Sequence, residues 1–119
     1  MGDKGDLANR LLDFAAACIK LTGRLCRTVP GRYVADQLMR SASSAGANYG
    51  EARGAESGAD FVHKLQLVLK ELKESAYWLK LLARVGLVPL VVLNPLLAES
   101  EELIRILAKS VVTAKGRLK

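Results

Sequence analysis

Apolar residues recur along this chain with the period of an α-helix. From Asp6 to Arg27 they fall at Leu7, Leu11, Phe14, Ala15, Cys18, Leu21, Leu25 and Cys26, an i, i+3/i+4 spacing. Thr28-Val29-Pro30-Gly31 reads as the end of this helix, because proline cannot continue a helix and the residue before it resists the helical region. A second helix is expected from Arg32 to Arg53, with Val34, Leu38, Ala42, Ala45 and Tyr49 on its core side. Its centre, 41–47, is a run of small residues with weak helix propensity. Leu38 and Tyr49 flank that run in helical phase, so close packing against another backbone is expected to hold it; a flexible linker is the competing reading.

Ser57 with Asp60 three residues on is a helix-start signature, and a third helix follows from Ala59 to Val85. Gly86-Leu87-Val88-Pro89 stops it. Leu90 to Leu93 reads as a short apolar link, strand-like or irregular. Asn94-Pro95 then opens the fourth helix, with Asn as cap and Pro at the first helical position; Leu96, Leu97, Leu103, Ile104, Leu107 and Val111 follow. Four long helices with short connections predict an all-α fold, an up-down-up-down four-helix bundle in one domain over residues 1–119.

Composition narrows the class. With 50% hydrophobic and 25% charged residues the chain has a globular balance, and 5% aromatics argue against a β-sandwich. The formal charge of +6 suits an anionic partner such as nucleic acid. Cys18 and Cys26 are about 12 Å apart along one helix, too far for a disulfide, and read as small buried hydrophobes in a reducing compartment. One histidine cannot build a His-based metal cluster. The longest uncharged stretch, Val85 to Ala98, has 14 residues and two prolines, short of the roughly 20 that span a bilayer. No signal-peptide core opens the chain, so a cytoplasmic location is expected, with no membrane partner.

Projected at 100° per residue, the third helix shows three arcs. Leu65, Val68, Leu69, Leu72, Ala76, Leu79 and Ala83 form the expected core. Lys70, Lys73, Lys80 and Arg84 form a basic arc with Tyr77 among them, a candidate phosphate-contacting stripe. After Glu102 come Arg105, Lys109, Lys115, Arg117 and Lys119 with no acid, which extends the basic character along the fourth helix and in part complements the helix dipole at its C-terminus. Leu67, Trp78, Leu81 and Leu82 form a second apolar arc, which a monomeric bundle does not need; it is the candidate subunit interface. An antiparallel hairpin of helices two and three brings Arg40 near Glu71 and Glu74, and Asn48 and Glu51 near Lys64 and Phe61, a polar network fixing helix register. No GxSxG, P-loop or HExxH motif occurs, so no enzymatic activity and no cofactor is expected.

Two stretches carry a family resemblance: Leu38-x-Arg40-Ser41-Ala42 through Asn48-Tyr49-Gly50-Glu51-Ala52, then Phe61 and a Leu- and Glu-rich helix ending in Leu87-Val88. The chain resembles the four-helix-bundle proteins encoded within ribosomal-RNA intervening sequences, and is similar to the accessory variability proteins of diversity-generating retroelements. The usual family form of the second stretch is Asn-Ile-Ala-Glu-Gly; Tyr49, Gly50 and Ala52 depart from it. The resemblance implies a bacterial protein that forms a homopentameric barrel. For the retroelement branch it implies binding to nucleic acid and to a reverse transcriptase. For the intervening-sequence branch it leaves the role open, and a protein–protein interaction bundle is the alternative expectation.

Overall fold

The computed structural model describes residues 4–118, which form four helices and no strand. They are α1 (Lys4–Thr22), α2 (Val29–Arg53), α3 (Gly58–Val85) and α4 (Leu90–Gly116). Consecutive helices run antiparallel. Tyr33 meets Trp78, Arg40 meets Glu74 and Lys64 meets Glu51, so α2 numbers rise as α3 numbers fall. Lys80 meets Glu101, and the α-carbon of Gly58 lies beside Leu118, which orients α3 against α4. The result is an up-down-up-down bundle of 49 × 24 × 21 Å. The α1–α2 and α3–α4 connections therefore share one end.

The core is aliphatic. Leucines from all four helices, among them Leu11, Leu38, Leu72, Leu93 and Leu107, are fully buried. Each contributes roughly 2–3 kcal/mol relative to an exposed position, which is what overrides the weak propensity at the centre of α2. There Ser41, Ala42 and Ala45 are completely buried and the run is continuous helix, as packing against a neighbouring backbone requires.

Two helix ends differ from the periodicity reading. α1 stops at Thr22 and not at Arg27; residues 23–27 form a turn closed by i→i+3 bonds from Gly23, Arg24 and Leu25. Val29-Pro30-Gly31 then starts α2 and does not end α1. Thr28 caps it, its Oγ1 accepting from the Gly31 amide at 3.0 Å. Pro30 fits because an amide in the first helical turn has no intrahelical acceptor to lose. Gly31 is required by close approach: a Cβ there would lie 2.2 Å from the Leu25 carbonyl oxygen.

At the other connection, α4 begins at Leu90, so Leu90 to Leu93 is helix and not a link. The amides of Val92 and Leu93 both reach the Pro89 carbonyl, at 3.0 and 3.2 Å. Leu93 is fully buried, and that anchorage holds the extra turn. Pro95 lies inside the helix, where its missing amide leaves the Val91 carbonyl without a helical donor. Val91 is 80% exposed, so this costs little. Gly86 ends α3 at φ 82°, a left-handed conformation that favours glycine.

Candidate nucleic-acid interface

The basic arc of α3 is a real surface. Lys70, Lys73, Tyr77, Lys80 and Arg84 are all exposed on one face. The structure also places acids beside parts of it. Lys80 Nζ lies 3.4 Å from Glu101 of α4, and Arg105 pairs with Glu102 one turn earlier. Lys70, Lys73, Arg84 and Lys109 form no ion pair among the described residues. Both ion-paired cations remain largely solvated, so their pairs add little stability and open readily.

The second apolar arc needs a correction. Leu82 is fully buried in the core of the single chain, so it belongs to the core stripe and cannot face outward. It lies close in phase to Ser75, which α2 also covers. Trp78 and Leu81 are half-buried against the core, and Leu67 is half-buried too. Trp78 sits edge-to-face with Tyr33 of α2 at 5.8 Å and with Tyr77 at 5.0 Å. More than half of each tyrosine remains open. The outward apolar feature is thus an aromatic cluster on the α2–α3 seam. Periodicity alone does not single out Tyr33, because its partner is 45 positions away and only the hairpin register joins them.

The polar network forms largely where the hairpin register places it. Arg40 donates to Glu71 at 3.3 Å and also to Glu74, whose carboxylate accepts from the Trp78 indole at 3.1 Å. The Arg40 hydrogen bond, aided by the indole, holds the Glu74 carboxyl below the usual glutamate range. Lys64 donates to Glu51 at 2.7 Å, and that bond pushes the lysine up. Asn48 takes no part: its Nδ2 donates to the Ser44 carbonyl of its own helix at 2.9 Å. A short amide that can satisfy itself on the preceding turn has no need to cross to α3.

Beneath the clamp, Ser41 and Ser75 are fully buried with their hydroxyls 2.8 Å apart. Each hydroxyl also reaches a carbonyl of its own helix, Ser75 that of Glu71 at 2.9 Å and Ser41 that of Leu38 at 3.3 Å, and either can donate across the interface. Another tie has no signal in the sequence pattern. Arg10 of α1 makes a two-point contact with Glu99 of α4, at 2.8 and 3.1 Å, across 89 positions. The cysteines also separate: Cys18 is buried, and burial pushes its thiol up to about 12, whereas Cys26 is exposed in the α1–α2 turn, against the expectation that both are buried. No helix among the described residues is long and apolar enough to cross a membrane.

Residues 4–109 match the family described as 23S rRNA-intervening sequence protein. No functionally curated protein matches the chain. A crystal structure at 1.70 Å resolution is similar over 88% of this chain and 97% of its own, with 32% identity and a TM-score of 0.83. That molecule is a protein with unknown function from the S23 ribosomal protein family, from Bacteroides thetaiotaomicron VPI-5482.

Proposed function

The chain belongs to the 23S rRNA-intervening sequence protein family, and from that premise we propose that it is a non-enzymatic, cytoplasmic, homo-oligomeric bundle that binds nucleic acid through its basic surface. The observation that carries this reading is the exposed set Lys70, Lys73, Arg84 and Lys109, cations without an ion pair among the described residues, with Tyr77 beside them. Such groups contact phosphates by displacing counterions, whatever the base sequence. Assembly multiplies the contacts offered to one polyanion, so weak single sites add up to useful affinity. The assembly is a homopentamer in this proposal, closed by a repeated heterologous contact. In the retroelement branch of the resemblance the further partner is a reverse transcriptase.

The test is titration of labelled RNA and DNA at 50 and 200 mM salt, alongside sedimentation equilibrium. Binding that weakens steeply with salt, by a particle several times the mass of one chain, is the expected result. No binding at low salt refutes the nucleic-acid reading, and a single species near 13 kDa refutes the assembly. A second reading has its own support. The half-open Tyr33–Trp78–Tyr77 cluster also fits a protein partner, and salt-independent capture of a protein would favour that role.

A further inference from the structure

The chain's positive surplus is not spread over the bundle. Residues 14–35 hold Lys20, Arg24, Arg27 and Arg32 and no acid. Residues 75–98 hold Lys80 and Arg84 and no acid. These stretches surround the α1–α2 and α3–α4 connections, which the antiparallel order brings to one end. Their six cations equal the formal net charge of +6, so the remaining residues of the chain balance to zero. All six are exposed. Arg32 lies across the turn, its Nη1 donating to the Cys26 carbonyl at 3.3 Å, and among the described residues only Lys80 of the six reaches an acid. By contrast, the middle of the bundle mixes its cations with Glu71, Glu74, Glu99, Glu101 and Glu102, and the acid-free stretch 103–118, with Arg105, Lys109, Lys115 and Arg117, runs to the opposite end, beside Gly58, where Glu51, Glu56 and Asp60 offset it.

We infer that this connection end is the primary phosphate-binding site, and that its ligand is single-stranded nucleic acid. Four of the six cations are arginines, whose planar forks contact phosphate oxygens through two donors at once. Tyr33 follows Arg32 directly, and Tyr77 precedes Lys80 by one helical turn. The two residues are 58% and 57% exposed, so bases unstacked from a duplex find open aromatic surface beside the cations. Two such ends facing each other repel, which disfavours a second copy docked end to end. The site deepens the nucleic-acid reading and rests on it. It moves the principal contact from the flank of α3 to the α1–α2 turn, where the sequence pattern marks no site.

The test compares two exposed charge reversals in the full chain, with folding checked by circular dichroism. One is Lys20→Glu/Arg24→Glu/Arg27→Glu at the connection end, and the other is Lys70→Glu/Lys73→Glu on the flank. The probe is a fluorescein-labelled 20-nucleotide RNA, read by anisotropy at 50 and 200 mM salt, with a duplex of equal length as comparison. The triple variant is expected to bind at least tenfold more weakly, and its salt slope to fall by about two, roughly 0.7 for each phosphate no longer neutralised. The flank variant removes secondary contacts of the same basic surface and should weaken binding by less than the triple variant does, and the parent should prefer the single strand over the duplex. A flank variant that loses as much binding as the triple variant, or more, overturns this site as the primary one and leaves the nucleic-acid reading standing. Equal binding of duplex and single strand overturns the choice of ligand. A parent that binds neither probe removes the nucleic-acid reading itself.

Discussion

Replacing Arg40 by Met tests the best-connected polar contact in the bundle. Arg40 holds Glu71 and Glu74 together, and Glu74 in turn orients the indole of Trp78. The arginine side chain is 49% exposed, so its attraction for either acid is screened, and each contact alone contributes at most about 1 kcal/mol. The acids are better covered, at 14% and 28% exposure. Removing the cation leaves two neighbouring carboxylates with less water than they need. Met keeps the apolar stem over α3, so the loss is electrostatic and should reach about 1–2 kcal/mol at neutral pH. For a domain of this size that lowers the melting temperature by roughly 4–8 °C. Trp78 is the only tryptophan and reports unfolding directly. The acid dependence has a fixed sign. Glu74 is held below its unfolded value, so its contribution is present above about pH 4.3 and is lost as pH falls through the lower folded value. The parent should therefore lose stability more steeply than Arg40→Met on acidification in that window. A cycle with Glu74→Gln, at fixed protein concentration, should give a coupling of about 0.5–1 kcal/mol. A variant within about 0.3 kcal/mol of the parent at pH 7, with the same acid profile, would refute the reasoning.

Two further outcomes follow from packing and burial. Ala45→Leu forces extra methylenes into a fully buried position on α2 and should cost about 1–3 kcal/mol; an unchanged thermal melt would show that the small-residue run is not held by close packing. With an aromatic disulfide reagent at neutral pH, one thiol per chain should react in the folded state, because Cys26 is exposed and the Cys18 thiol is buried and raised to about 12; two equally fast thiols would contradict this.

Hydrophobic period, capping residues and glycine punctuation were enough to determine four helices, their order and most of the core. Those signals are local, and the buried leucines of α2 and α3, Leu82 apart, fall on the faces they mark. The hairpin register was legible too, since Arg40 meets Glu71 and Glu74 and Lys64 meets Glu51. Proline was ambiguous. Pro30 and Pro95 are each compatible with a helix end or a helix interior near its start, and buried neighbours decided between them: Leu25 over Gly31, and Leu93 within α4. Helical projection put Leu82 in an outer arc, yet the bundle covers it, because the width of a buried face depends on how neighbouring helices flank it. Only the tertiary structure joined Tyr33 to Trp78, tied Arg10 to Glu99, and brought two acid-free stretches to one end. Charge can be counted along a sequence, but the field it creates depends on which residues folding makes neighbours.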